Sequence, residues 1–166
     1  MASTGKLELD AVYRSHGYLV LRRARQILND EQEALEALQN VFLALARRPG
    51  QFAGASSIGT YLYRVTTNHC LNHLRNRRRQ ALLNEKAKLN GSWIVRAEDS
   101  VDAQAALARL PERLARIAVY YYIDEMTQDE IASLLRCSSR SVTRTLARLH
   151  REIESWSPST TKGARP

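Results

Sequence analysis

The helical spacing of apolar residues is the feature that most restricts how this chain can fold. Between residues 31 and 47, apolar side chains recur every three or four positions, as one face of an amphipathic helix requires: Ala34, Leu35, Leu38, Val41, Phe42 and Leu45. Pro49-Gly50 ends this stretch. Similar spacing predicts helices over 8–28, 58–83, 111–123, 127–135 and 138–154. With only 7 Gly and 4 Pro, the chain lacks the turn residues of a sheet-rich sandwich, so we predict an all-α fold.

Breaks in this spacing divide the chain into two small helical domains joined by a flexible linker. We predict a first domain over 1–83, a linker over 84–102, a second domain over 103–156 and a disordered tail over 157–166. The linker carries three acidic side chains, Glu98, Asp99 and Asp102, as an ordinary solvated linker does. Within the helix over 111–123, the spacing turns five residues inward: Leu114, Ile117, Ala118, Tyr121 and Tyr122.

The charge of the chain is strongly basic and unevenly distributed. The net charge is +8, and 21 of the 25 basic residues are Arg, whose planar guanidinium suits phosphate groups. Residues 131–151 contain five Arg and no acidic residue. Two cysteines cannot form a disulfide scaffold, no apolar run approaches the roughly 20 residues that span a bilayer, and the N-terminus lacks the pattern of a signal peptide. We therefore expect a soluble, cytoplasmic protein without membrane insertion.

The stretch from Gln128 to Leu149 has the spacing of a DNA-reading helix-turn-helix. Thr127 and Glu130 form a capping box for its first helix, and Ser138 or Ser139 can cap its second. Ala132 would allow the two helices to cross closely, and five residues would lock them together: Ile131, Leu135, Cys137, Val142 and Leu146. This leaves an outward face of Ser139, Arg140, Ser141, Thr143, Arg144, Ala147 and Arg148. Arg can read guanine or clamp phosphate. A helix pair with a solvated basic face is the alternative.

Several stretches in a fixed order carry a resemblance to a known family. They are Ala34 to Phe42, Phe52 to Asn68, Leu74-Arg75 with the Arg run that follows, and Leu110 to Arg148. Together they resemble the extracytoplasmic-function (ECF) sigma factors of bacterial RNA polymerase over about 140 of the 166 residues. The resemblance implies that the first domain is sigma region two and the second is sigma region four. It also implies that the chain binds core RNA polymerase, directs it to specific promoters and helps melt the minus-ten element.

The resemblance assigns a role to three sets of residues. The helix over 35–42 would contact the polymerase through Glu36, Leu38, Gln39 and Phe42, although for Phe42 a purely core role is equally compatible with the sequence. The minus-ten element would be held by Ala53, Gly54, Ala55, Ser56, Ser57, Tyr61, Arg64, Asn68, Arg75, Arg77, Arg78 and Arg79. The minus-thirty-five element would be read by Ser139, Arg140, Ser141, Thr143, Arg144 and Arg148. Leu35-Glu36 stands where the family has an acidic pair.

Promoter DNA, core polymerase and an anti-sigma factor are the partners that the resemblance implies. The sequence holds no motif for a nucleophile, a phosphate loop or a cofactor, so we expect no enzymatic activity and no cofactor. His69, Cys70 and His73 make the only metal-like cluster, but a second ligand pair is missing and we expect no metal. Two alternatives remain: a helix-turn-helix regulator that acts without polymerase, and a protein-interaction module descended from a sigma factor.

Overall fold

A computed structural model describes residues 8–47, 57–88 and 103–156, with side chains in the second range described to residue 85. Its helices are α1 (Leu9–Leu28), α2 (Glu31–Arg47), α3 (Ile58–Lys88), α4 (Ala103–Arg109), α5 (Glu112–Ala118), α6 (Gln128–Leu135) and α7 (Ser139–Trp156). A wider, π-helical turn over Val119–Ile123 continues α5. These ranges contain no strand, so the all-α prediction is confirmed.

Two residues connect α1 to α2, and each has a local reason to be there. Asn29 takes the left-handed conformation (φ 51°) in which Asn often ends a helix, and its N–H donates to the carbonyl of Arg25. Asp30 then accepts a hydrogen bond from the backbone N–H of Glu33 at 2.8 Å, which caps the start of α2. The two helices therefore form a tight hairpin, whose bounds the apolar spacing predicted almost to the residue.

The core of the first compact unit lies between α1, α2 and α3. Its buried cluster consists of Val20, Leu38, Val41, Phe42, Leu45 and Leu62, with Tyr61 and five other apolar residues partly buried at its margin. Full burial of side chains of this size is worth about 1.5–3 kcal/mol each. The amphipathic spacing of α2 thus matches its position on this core.

A buried arginine ties α1 to α3 inside the same unit. Arg23 is 1% exposed, its Nε donates to Oγ1 of Thr67 at 3.1 Å, and its guanidinium lies 4.2 Å from the centre of the Tyr63 ring. Thr67 in turn donates to the backbone carbonyl of Tyr63 at 2.8 Å. Because a cation is stable in such a place only with polar and aromatic partners, this contact fixes the position of α3 against α1.

Helix α4 packs on the first unit rather than on the second. Gln104 donates through its side-chain amide to the carbonyl of Leu28 and accepts a hydrogen bond from Arg77 at 3.2 Å. The first compact unit accordingly ends at Arg109 and the second begins at Leu110, whereas the sequence placed the division before residue 103. The sequence placed residues 103–109 in the second domain because apolar spacing does not indicate which core a helix joins.

The second unit packs α5 and α6 against α7. The capping box at Thr127 and Glu130 is present, as predicted: Thr127 accepts from the N–H of Glu130, whose carboxylate accepts from the N–H of Thr127 at 2.7 Å. Between α6 and α7, Arg136 takes the left-handed conformation (φ 54°) that Gly usually supplies in this turn. Ile131 and Val142 are fully buried, which confirms two of the predicted locking residues.

The prediction for the inward residues of the helix after Pro111 was wrong in one place. Tyr120 is fully buried, whereas Tyr122 is 52% exposed and its hydroxyl contacts the ring of His150. The prediction rested on a repeat of about 3.6 residues, which the π-helical turn over Val119–Ile123 does not follow.

Candidate nucleic-acid interface

Helix α7 carries its basic residues on the side that faces away from the core. Arg140, Arg144 and Arg148 are exposed, while Val142, Leu146 and Leu149 are buried on the opposite side. Ser138, just before the helix, accepts the backbone N–H of Ser141 at 3.2 Å and so caps it, as predicted. The acid-free run in the sequence therefore becomes a continuous positive surface along one helix.

The hydroxyl side chains that were predicted to face DNA are engaged with neighbouring helices. Ser139 donates to the carboxylate of Asp129, and Thr143 donates to the side-chain oxygen of Gln128, so both hydroxyls are turned toward α6. Ser141 lies on the other flank, where its Oγ accepts a hydrogen bond from Arg113 of α5 at 2.7 Å. Six residues were predicted to read the minus-thirty-five element. Of these, Arg140, Arg144 and Arg148 have exposed side chains on the outer face, and the described part of the chain gives them no hydrogen-bond partner.

Helix α3 presents a second polar stripe, in the first unit. Five of the predicted residues share one face because their spacing of three, four or seven positions brings each back to the same side of the helix: Tyr61, Arg64, Asn68, Arg75 and Arg79. Tyr61 packs against the core margin, and Arg75 donates to the side-chain oxygen of Asn72 at 2.8 Å. We refer to these five residues as the α3 stripe.

The prediction that all four arginines over 75–79 act together is corrected by the structure. Arg77 lies nine positions after Asn68, which is about two and a half turns, so it is on the opposite side of α3. There its Nη1 donates to both carboxylate oxygens of Glu33 at 3.1 Å, and its Nη2 donates to Gln104. Arg78 also lies away from the centre of the stripe. Consecutive residues of a helix point about 100° apart, so arginines that are neighbours in the sequence do not share one face of α3.

Asn68 is the most distinctive member of the α3 stripe. Within the part of the chain that the structure describes, its buried side-chain oxygen has no hydrogen-bond partner. An unpaired buried acceptor costs about 1–3 kcal/mol, so such an atom is well suited to a ligand that brings a donor. Ser57 has a local role at the start of α3, where its Oγ accepts the N–H of Thr60 at 3.1 Å. The other predicted loop residues, 53–56, and the linker acids at 98, 99 and 102 lie outside the described residues.

The predicted polymerase-contact residues of α2 separate into two groups. Leu38 and Phe42 are only 7% and 6% exposed and belong to the core, whereas Glu36 and Gln39 are exposed. The outer face of α2 also carries Leu43, which the sequence interpretation did not select, and Leu35, which it had wrongly placed on the apolar face; they are 46% and 37% exposed. Each lies four residues from Gln39, so the three side chains share one face of α2, and this spacing could have identified them from the sequence.

The chemistry of the remaining polar cluster does not indicate a metal or a nucleophile. Burial raises the pKa of Cys70 to about 12, and burial followed by the nearby His73 lowers the pKa of His69. Nε2 of His73 lies 3.3 Å from a carboxylate oxygen of Glu33, in the same group as Arg77. Among the described residues, no three His, Cys, Asp or Glu side chains are grouped so that they could hold a metal ion.

Comparison with known proteins matches two different family models to the two parts of the chain. Residues 12–80 match the family model for sigma-70 region 2, and residues 100–151 match the model for sigma-70 region 4. The ECF RNA polymerase sigma factor SigM of Mycobacterium tuberculosis is 31% identical over 117 residues, which are 66% of this chain and 58% of that protein. The chain belongs to the ECF sigma factors. A region 2 match over residues 12–80 does not favour a polymerase-independent regulator.

Two further similarities complete the comparison of this ECF sigma factor. The RNA polymerase sigma-H factor of Pseudomonas aeruginosa is 22% identical over 165 residues, with 90% of this chain and 86% of that protein covered. A solved structure of the sigma factor RpoE with the anti-sigma factor NepR from Bartonella quintana is 13% identical, with a TM-score of 0.49 over 89% of this chain and 95% of that chain. The chain spans 58% of the length of the first curated relatives. In the described ranges, every helix is too short or too polar to cross a bilayer.

Proposed function

We propose that this ECF sigma factor binds core RNA polymerase, directs it to specific promoters and helps to melt the minus-ten element. In this proposal the first domain acts as region two and the second as region four, and the polymerase carries out all the chemistry. The observation that carries the proposal is the α3 stripe, in which the Asn68 amide oxygen, which has no hydrogen-bond partner among the described residues, stands among arginines on a single helix face.

The α3 stripe suits a melted DNA strand better than a closed duplex. The Asn68 amide can accept a hydrogen bond from the edge of an unstacked base and thereby recover part of the cost of its own burial. Arg64, Arg75 and Arg79 can hold phosphates on both sides of that base. Separating stacked base pairs costs about 1–2 kcal/mol per step, so a few such contacts can offset the opening of a short segment.

Reading of the upstream element is assigned to the exposed arginines of α7. Arg140, in the first turn, and Arg144, one turn later, are placed to reach base edges in a major groove, where Arg pairs with guanine. The hydroxyls of Ser139 and Thr143 bind α6 and so contribute by holding the helix-turn-helix together. Arg144→Ala should therefore weaken the upstream element more than the downstream one.

The outer face of α2 is the proposed polymerase-binding surface. Leu35, Glu36, Gln39 and Leu43 give it two apolar side chains and one carboxylate, a composition that suits a partly apolar, basic partner surface. An anti-sigma factor is a further expected partner. The site of action of such a complex is the cytoplasm, where the polymerase is.

Abortive transcription with purified core polymerase and a pool of promoter fragments tests the proposed function. Transcripts that require the added protein support it, and their start sites define both promoter elements. Asn68→Ala and Arg79→Ala should reduce promoter opening with little effect on polymerase binding. Arg22→Ala, which removes one exposed charge on α1, is the matched control and should leave both unchanged. Absence of transcripts together with absence of co-elution with core polymerase would refute the proposal.

A further inference from the structure

A cleft between α5 and α7 lies beside the proposed reading surface. Its volume is about 310 Å³, and seven residues line it: Pro111, Arg113, Leu114, Ser141, Arg144, Thr145 and Arg148. Three of these are exposed arginines, and no carboxylate is among the described residues that line the cleft. Three guanidinium groups around one small volume repel each other, because like charges are close and no acid offsets them. A bound anion would relieve this repulsion.

Arg113 is held in place before any ligand arrives. Its Nη2 donates to the Oγ of Ser141 at 2.7 Å, across 28 positions of the sequence. Thr145 lies deeper in the cleft, and its hydroxyl is occupied by the backbone carbonyl of Ser141 at 2.7 Å. One hydrogen bond fixes the guanidinium of Arg113, and its remaining N–H groups are left for another acceptor. A group fixed in this way loses less conformational entropy on binding than a free surface arginine.

The position of the cleft indicates which anion it would take. A helix with side chains is about 10–12 Å across and the major groove about 12 Å wide, so a helix in the groove has a phosphate backbone along its flank. Arg144 and Arg148 of α7 line the cleft, so the cleft opens on the flank of α7 along which this backbone would run. A phosphodiester of duplex DNA therefore fits the charge and the location together.

We propose that the α5–α7 cleft is a phosphate clamp in which Arg113, with Arg148, holds one backbone phosphate at the edge of the upstream promoter element, next to the base-reading Arg144. This inference rests on the proposed function and deepens it. Arg113 lies before the helix-turn-helix and is a positioning residue: it fixes the angle at which α7 enters the groove without reading a base. Ser141 contributes by orienting Arg113 rather than by touching DNA.

Salt-dependent binding of the holoenzyme, reconstituted with the full chain, to upstream promoter duplexes tests the clamp. We expect Arg113→Ala to weaken binding roughly tenfold at low salt, as for the loss of one hydrogen-bonded charge. It should weaken matched and mismatched upstream elements equally and reduce the slope of log K against log salt by about 0.9, the value for one phosphate contact. Arg113→Lys should keep the slope and recover only part of the affinity, because Lys lacks the planar fork. Arg22→Ala, an equal charge change in the first unit, should leave both quantities unchanged.

The outcomes separate the clamp from the proposed function. An unchanged slope in Arg113→Ala, or a loss confined to the matched element, overturns the clamp even if wild-type protein supports transcription. If wild-type protein gives no transcripts, the proposed function fails. The slopes of log K against log salt for the wild-type and Arg113→Ala chains on a non-specific duplex then decide whether the clamp exists. Inorganic phosphate that binds the wild-type chain as tightly as duplex DNA, and not the Arg113→Ala chain, would make the cleft a free-anion site and overturn the DNA assignment. Unfolding of each variant is followed in parallel, and Arg113→Lys serves as the test if Arg113→Ala does not fold.

Discussion

Replacement of Phe42 by alanine separates a core role from a polymerase-binding role at one position. The side chain is 6% exposed, and its ring packs edge-on against Tyr13, with ring centres 4.9 Å apart and planes at 69°. The resemblance to ECF sigma factors placed this residue at the polymerase surface, while the structure places it in the cluster between α1, α2 and α3. We expect Phe42→Ala to act by destabilising the first unit.

The magnitude follows from what the substitution removes. Truncation of a buried Phe to Ala costs about 3–5 kcal/mol, of which the edge-on ring pair accounts for about 0.5–1.5 kcal/mol. For a domain of 60–100 residues, each kcal/mol lowers the melting temperature by about 4–8 °C, so the variant should melt at least about 12 °C lower than the wild type. This loss is a large fraction of the stability of a domain of this size.

Thermal unfolding measured by far-ultraviolet circular dichroism gives the answer, with Leu43→Ala as the matched control. Leu43 is the next residue on α2 but is 46% exposed, so its truncation should change stability by no more than about 0.5 kcal/mol. Co-elution with core polymerase should be weakened by Leu43→Ala, because the outer face of α2 is the proposed contact. If Phe42→Ala melts like the wild type and loses polymerase binding, the reasoning that assigns this residue to the core is refuted.

Four smaller predictions concern local features. Thr127→Ala should destabilise the second unit by about 1 kcal/mol through loss of the helix cap, measurable by urea unfolding. Hydrogen bonds from the side chain and then the backbone of Thr127 lower the pKa of Glu130. The Glu130 carboxylate should therefore stabilise the second unit above pH 4.5, and this stabilisation should be lost as the pH falls through the lowered pKa. The pH profile of Glu130→Gln should lack this change. Cys70, with a pKa of about 12, should resist iodoacetamide at neutral pH until the protein is unfolded, whereas the half-buried Cys137 should react first. Equal rates of modification would show that the core of the first unit opens readily. Gly17→Ala should raise the melting temperature, because Gly in a helix interior is worth about 0.5–1 kcal/mol less than Ala and the nearest atom to the added methyl group is 3.8 Å away; a lower melting temperature would contradict this.

Local features of the fold could be predicted because their causes lie within a few residues. The bounds of α2 match the prediction at both ends, and the capping box of α6 lies where Thr127 and Glu130 placed it. In both cases the determining interactions join residues three or four positions apart, which a linear sequence displays directly. The same reasoning identified the polar residues of α7 but could not tell which hydroxyls would bind α6.

The candidate site was only partly predictable, for a geometric reason. The Arg run that ends the first domain was interpreted as one phosphate-binding group, yet Arg77 faces Glu33 on the far side of α3 while Arg79 shares the face of Asn68. Adjacent residues point in different directions around a helix, and the helical repeat shows which of them share a face. Applied residue by residue, that repeat would have found this division from the sequence.

An all-α chain, the bounds of α1 and α2, the helix-turn-helix and the resemblance to a family could all be derived from the sequence, because helical periodicity, caps and motif order are local or additive properties. The contacts of α4 with the first unit through Gln104 and Arg77, and the contact of Arg113 with Ser141 across 28 positions, became visible only in the folded structure. These contacts depend on how whole helices pack, and packing is chosen by the fit of side chains that are far apart in the chain. The proposed phosphate clamp belongs to this second group, since α5 and α7 form a cleft only when both are folded onto the same core.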